Sequence, residues 1–151
     1  MKLIRFGKQG EEKPGIQLDN EERIDVSSFV KDYDEEFFTT GGLNNLKDWL
    51  SHNEATAARL DDSVRLGSPV ARPSKIICIG LNFKDHAEES GFDAPEEPVI
   101  FGKATSALSG PYDNIIIPRG SEQTDWEVEL AVVIGKKASY VDRDQALDYV
   151  A

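Results

Sequence analysis

Three carboxylates stand on alternate residues in the stretch TDWEVELAVVIGKK: Asp125, Glu127 and Glu129. In a strand, residues two apart point to the same face, so these three acids would share one side. Like charges on one face repel unless a cation or protons compensate them, and oxygen ligands suit the hard ions Mg²⁺, Ca²⁺ and Mn²⁺. The spacing therefore predicts a strand at 125–134 with a divalent-metal site, and the alternative is an acidic strand start in solvent.

A histidine and a glutamate in LNFKDHAEESG form a second candidate catalytic pair. Asn82 can cap a short helix at 83–90, and Gly91 can terminate it. His86 and Glu89 would then lie one turn apart on the same face, where the carboxylate can orient the imidazole and raise its basicity. This pattern is typical of a general base that deprotonates water, and the alternative is a surface His–Glu pair.

Three further residues carry reactive groups. Lys103 follows the apolar letters VIF in VIFGKATSAL, so it is either an electrophile or anion ligand at a strand end or a lysine that snorkels to water. Cys78, the only cysteine, lies in the apolar run KIICIG and is predicted to be a buried structural thiol. His52 stands among polar residues and is predicted to be a solvated histidine.

The elements before these residues predict a small α+β unit at 1–66. The letters KLIRF predict a strand, and GIQLDNEERIDVSSF predicts two strands on either side of the polar turn Asp19–Glu22. The letters DYDEEFF predict an acidic connector without regular structure. Apolar residues at three- and four-residue steps from Leu43 predict a helix. The segment 67–73, which contains two prolines and a glycine, is predicted to be a linker.

Residues 74–151 are predicted to begin a β-rich catalytic domain. KIICIG is expected to be a strand buried on both faces, and VIFGKATSAL and NIIIPRG are expected to be strands that end in loops. The closing letters YVDRDQALDYVA predict a helix capped by Asp142 or Asp144.

Composition limits the possible partners. The 151 residues carry 28 acidic and 17 basic side chains, and the net charge is −11. We therefore expect no nucleic acid or membrane partner and predict a small molecule or protein instead. The opening letters show no apolar signal segment, and no run of about eighteen apolar residues occurs, so a cytoplasmic protein is expected.

Taken together and in this order, KIICIGLNFKDHAEE, PVIFGKATSALSGP and DWEVELAVVIGKKA resemble the fumarylacetoacetate hydrolase superfamily. The start of the chain is similar to a bacterial subgroup of ureidoglycolate lyases and hydrolases of 2,4-diketo-3-deoxy sugar acids. The resemblance implies an α+β, β-rich fold, with an N-terminal α+β unit and an incomplete mixed β-roll of the fumarylacetoacetate hydrolase type. It also implies a homodimeric, metal-dependent enzyme that acts on a small 2-oxo acid.

The same resemblance assigns roles to five residues. Glu127 and Glu129 would bind Mg²⁺, or Mn²⁺ or Ca²⁺ in its place, while His86 and Glu89 would activate water and Lys103 would contact the substrate. The reaction expected of an intact member is hydrolysis of a carbon–carbon bond in an acylpyruvate-type 2,4-diketo acid, and ureidoglycolate lyase activity is the alternative.

One feature of the family is missing from the sequence. Members continue past the equivalent of DQALDYVA to an N-D-x-S-x-R motif, whose aspartate is the third protein ligand, whereas this sequence ends at Ala151. We therefore expect a truncated copy or fragment, and the third hypothesis is a catalytically silent chain that lacks the third ligand.

Overall fold

The computed structural model describes residues 1–89, 91 and 95–151, with the backbone alone at residue 86. It forms two compact units, one made of residues 1–71 and 109–151 and the other of residues 72–108. Both units contain antiparallel sheet and helix, which confirms the predicted α+β class. The predicted domain boundaries at 1–66, 67–73 and 74–151 stay a prediction. Among the described residues, no helix is long and apolar enough to cross a membrane.

A four-stranded antiparallel sheet forms the centre of the first unit. Its strands are β1 (Lys2–Phe6), β2 (Lys13–Gln17), β3 (Arg23–Asp25) and β4 (Leu66–Gly67), in the order β3-β2-β1-β4. The first three match the predicted strands, and the polar turn between β2 and β3 lies where the sequence placed it. The fourth strand, β4, was not predicted, and its second residue is the first residue of the predicted linker. It is a strand because its two residues pair with the end of β1.

Two helices pack against this sheet. The predicted helix is α2 (Gly42–Asn53), and its Leu46 is fully buried with Ile16 and Ile24 from the strands. The acidic connector predicted before it is wrong, because residues Glu35–Thr39 form a short helix, α1. The Asp34 side chain accepts a hydrogen bond from the Phe37 N–H at 3.1 Å, and acidic residues in a first turn are favoured by the helix dipole.

A buried ion pair crosses the first unit. The Arg5 Nε and Nη2 atoms on β1 donate to the two carboxylate oxygens of Asp32 at 2.7 and 3.2 Å, and both side chains are about nine-tenths buried. The Tyr33 N–H also donates to Asp32, at 2.9 Å. The Tyr33 hydroxyl donates to the Gly15 carbonyl at 2.7 Å, and burial raises the pKa of that hydroxyl. These bonds connect the segment before α1 to strands β1 and β2.

The second unit is a hairpin with a helix between its strands. β5 (Ile76–Gly80) pairs antiparallel with β6 (Val99–Lys103), and α3 (Lys84–Glu89) lies between them in sequence. The strand predicted at KIICIG is confirmed, but its burial on both faces is wrong, since Ile77 and Ile79 are 60% and 40% exposed. Alternate residues of β5, including Cys78, are only half-buried, because the part of the chain that the structure describes places no further strand beside this two-stranded sheet.

The region after residue 108 departs furthest from prediction. The strands expected at NIIIPRG and at 125–134 are wrong: this part of the chain has no regular secondary structure until Ile134, which forms an isolated bridge with Val150. A strand requires a hydrogen-bonded neighbour, and the described residues supply none beside 125–132. The closing helix is present as a 3₁₀ helix at Arg143–Tyr149, with Asp142 as its N-cap residue.

Candidate functional site

Helix α3 carries the predicted water-activating pair. Its backbone places positions 86 and 89 one turn apart, as the sequence predicted, and the Glu89 side chain is exposed. The His86 side chain and Ser90, the last residue of the predicted helix, lie outside the described residues, so the role of His86 stays a prediction. Gly91 terminates the helix in the left-handed conformation, at φ +73°, and its N–H donates to the Glu88 carbonyl at 3.1 Å.

Lys103 is the last residue of β6 in the same unit. It pairs in register with Ile76, the first residue of β5, and it is exposed. The second unit therefore contains three of the five predicted site residues, one at a strand end and two on a helix that precedes this strand.

The two predicted metal ligands belong to the first unit. Glu127 and Glu129 are exposed on a stretch without regular secondary structure, and the neighbouring Asp125 carboxylate accepts a hydrogen bond from the Trp126 N–H at 2.8 Å. Exposed carboxylate oxygens are the donor type that Mg²⁺ and Ca²⁺ prefer, so this pair fits a hard divalent ion. No group of three or more histidine, cysteine, aspartate or glutamate side chains that could hold a metal occurs within the described residues.

A shallow cavity of about 270 Å³ lies elsewhere in the first unit, beside α1. Aromatic and acidic side chains line it, including Phe29, Asp32, Asp34 and Phe37. Two of its acids already have structural partners, because Asp32 binds Arg5 and Asp34 caps α1. His52 is exposed on α2, as predicted for a solvated histidine.

Backbone strain marks the start of the His86 helix, and sequence reasoning missed it. Leu81 follows the last residue of β5 and has φ +52°, a left-handed conformation that costs a residue with a side chain roughly 1–2 kcal/mol. No pattern in the sequence reveals this, because leucine is not a residue typical of that region. Such strain often occurs at functional sites, so Leu81 is a candidate positioning residue for α3.

The strain at Leu81 predicts an inverted order of two substitutions. Leu81→Gly is expected to be more stable than Leu81→Ala by about 1 kcal/mol, because glycine adopts positive φ without steric cost. At Lys47, an exposed position inside α2, the alanine variant should be more stable than the glycine variant by about 0.5–1 kcal/mol. Urea unfolding of the four variants measures both differences. A Leu81→Ala variant more stable than Leu81→Gly would show that the backbone at Leu81 is not strained.

The matching family model is the fumarylacetoacetate (FAA) hydrolase C-terminal domain, over residues 75–151. This match covers half of the chain and includes every predicted site residue. The chain belongs to the fumarylacetoacetate hydrolase family, which confirms the resemblance inferred from its motifs.

Relatives and solved structures agree with this assignment. A Burkholderia orbicola protein named "Putative hydrolase" is 49% identical over 152 residues, which cover 100% of this chain and 52% of the relative. A "putative HpcE protein" from Mycobacterium smegmatis matches with a TM-score of 0.73 and 32% identity, over 100% of this chain and 52% of its own. Fumarylacetoacetate hydrolase from Exiguobacterium antarcticum matches with a TM-score of 0.72 and 31% identity, over 99% of this chain and 52% of its own. The chain is therefore similar in fold to about half of each solved structure, and it spans about half of the length of these proteins.

Proposed function

We propose that this chain supplies part of the active site of a metal-dependent hydrolase that cleaves a carbon–carbon bond in an acylpyruvate-type 2,4-diketo acid. The observation that carries the proposal is the family match over 75–151, which contains the Glu127–Glu129 pair and the α3 helix. The family and the hydrolase name of the relatives support the reaction class, and the substrate and metal are our inference.

Each residue has one task in the proposed reaction. Glu127 and Glu129 would hold Mg²⁺, or Mn²⁺ or Ca²⁺, and the bound ion would supply polarisation of the 2-oxo acid end of the substrate. His86, oriented by Glu89, takes a proton from water. Lys103 stabilises the negative charge that develops on the substrate.

The atoms balance without an additional reactant. The oxygen of the activated water bonds to the distal carbonyl carbon, and the bond from this carbon to the central methylene group breaks. The electron pair stays on the methylene carbon, which takes up a proton. The products are a carboxylic acid and pyruvate.

A complete site requires more polypeptide than these 151 residues. Large apolar side chains alternate along the carboxylate segment, and Trp126, Val128 and Leu130 are 79%, 71% and 87% exposed. Apolar side chains in such numbers are normally covered in a functional protein. Since the relatives are about twice as long, we propose that the region they have in addition covers this segment. We further propose that the complete protein is a homodimer.

The test is a fusion of residues 1–151 to the second half of the Burkholderia orbicola relative. We expect this fusion to release pyruvate from an acylpyruvate in the presence of Mg²⁺, and the unfused chain to show at least a hundredfold lower turnover, because the second half supplies missing groups of the site.

Two results would contradict the proposal. Equal turnover by the unfused chain would show that no further polypeptide is required. Release of glyoxylate from ureidoglycolate, without cleavage of acylpyruvates, would favour a lyase. Chelation of Mg²⁺ with EDTA serves as the control for metal dependence.

A further inference from the structure

An arginine in the first unit binds two carboxylates that are far apart in sequence. The Arg65 Nε and Nη2 atoms donate to the two oxygens of Asp113 at 2.8 and 2.6 Å, while Nη1 donates to Glu12 at 2.9 Å and to the Gly7 carbonyl at 3.0 Å. In return, the Gly7 N–H donates to the Arg65 carbonyl at 2.9 Å. A forked guanidinium is suited to this geometry, and a lysine could not reproduce it.

Asp113 lies where the chain returns to the first unit. The chain leaves this unit after Ala71, whose N–H donates to the Tyr33 carbonyl at 2.9 Å, and it returns at Ser109. The Asp113 Oδ2 atom also accepts a hydrogen bond from the Gly110 N–H at 2.8 Å, which closes a turn at this point. The Arg65–Asp113 bonds therefore attach the start of the returning segment to the edge of the sheet at β4.

Two glycines leave space for this attachment. A Cβ atom on Gly67 would lie 2.8 Å from the Glu12 Cγ and 2.9 Å from its Oε1. A Cβ atom on Gly110 would overlap the Leu66 carbonyl oxygen and lie 2.9 Å from the Asp113 Oδ2. Neither position accepts a side chain without displacement of the groups that bind Arg65.

The charges of the cluster favour the bonded state. Arg65 faces Glu12 and Asp113, and Arg5 lies 3.8 Å from Glu12 on its other side. The hydrogen bonds from Arg65 hold the pKa of Asp113 below its usual range, with a contribution from the Gly110 N–H. Burial raises the pKa of Glu12, but its bonds and proximity to the two arginines outweigh burial and lower this pKa overall.

We propose that Arg65, Glu12 and Asp113 form a positioning clamp, which docks the segment beginning at Ser109 onto the N-terminal sheet. The clamp sets the point from which the chain runs to Glu127 and Glu129. This role in positioning the metal ligands rests on the proposed function, whereas the docking itself is measurable without substrate.

The test is amide hydrogen exchange on the 151-residue chain with Asp113→Asn. An asparagine oxygen can still accept the Gly110 N–H but carries no charge for Arg65. We expect exchange of the Gly110 and Asp113 amides, which both donate hydrogen bonds within this turn, to become at least tenfold faster, while the amides of Ile4, Ile16 and Ile24 keep their protection. Asp144→Asn, which makes the same substitution at an exposed position of the closing 3₁₀ helix, is the matched control and should change neither group.

A pH series tests whether the charges of Glu12 and Asp113 hold the returning segment on the sheet. Because the folded-state pKa values of Glu12 and Asp113 are lowered, docking is fully present above their ordinary values and is lost as the pH falls through the lowered ones. Protection at residues 110 and 113 should therefore fall below about pH 4 in the wild type, before the sheet unfolds. The Asp113→Asn chain should lack most of this protection at neutral pH.

Gly110→Ala provides a second variant that removes no charge. Its Cβ should displace the turn from Leu66 and accelerate exchange at residues 110 and 113 in the same way. Unchanged exchange at residues 110 and 113 in both variants, or equal loss of protection in the sheet, would overturn the clamp. Neither result depends on turnover, so failure of the clamp and failure of the proposed hydrolase remain distinguishable.

Discussion

Replacing Arg5 with methionine is expected to lower the free energy of unfolding by about 3 kcal/mol, at the lower end of the range for breaking a buried ion pair. The guanidinium binds both oxygens of Asp32, and each side chain is 9% exposed. Methionine leaves the Asp32 carboxylate inside the protein without this cation. The Tyr33 N–H continues to donate to Asp32, which keeps the cost near the lower limit.

Lys8→Met is the control for the loss of a positive charge as such. Lys8 pairs with Glu11 at 3.0 Å, but its side chain is 77% exposed, so its removal should change stability by less than about 1 kcal/mol. Urea unfolding followed by circular dichroism compares both variants with the wild type. Equal stability of Arg5→Met and Lys8→Met would show that the Arg5–Asp32 pair contributes no more than a surface contact.

Replacing Glu127 with glutamine in the fusion protein is expected to lower kcat/KM for an acylpyruvate by at least about a hundredfold. Glutamine keeps the size of the side chain but removes the negative charge that would hold the divalent ion. Losing one group that supports developing charge typically costs 10²–10³ in rate. A higher Mg²⁺ concentration should restore part of the activity, since the lost ligand mainly weakens metal affinity.

Glu122→Gln is the matched control, because Glu122 is an exposed glutamate on the same stretch, outside the E-x-E motif. Its effect on kcat/KM should stay below about twofold. Steady-state kinetics across a range of Mg²⁺ concentrations measures both variants. If Glu127→Gln and Glu122→Gln behave alike, Glu127 is not a metal ligand and the proposed site is wrong.

The sequence predicted elements whose partners lie nearby in the chain. Strands β1, β2 and β3 pair consecutively through short turns, so local alternation was enough to locate them. Helix α2 was visible from its apolar repeat, which buries Leu46. Helix α1 was not predicted, because Asp34 is one of several acidic residues in succession and its role as the cap was not recognisable from the sequence.

Prediction failed where the outcome depends on distant residues. The alternation at 125–134 is correct for a strand, but alternation alone does not provide the neighbour to which a strand must bond. The Arg65–Asp113 bonds join residues 48 apart, and neither residue belongs to a recognisable motif. The metal-ligand and water-activating residues were singled out by their spacing and given their roles by the resemblance, and their convergence stays a prediction.

The discontinuous first unit has a consequence for the order of events during synthesis. The sheet is specified by residues up to Gly67, since β4 pairs with β1, so it can form as soon as this residue leaves the ribosome. The Arg65 clamp must wait for Asp113, 46 positions after Gly67 by number. During this interval Glu12 is available to pair with Arg65, but Asp113 is not. A nascent chain arrested before Asp113 should therefore show a folded sheet, and the returning segment should dock as a later and separate step.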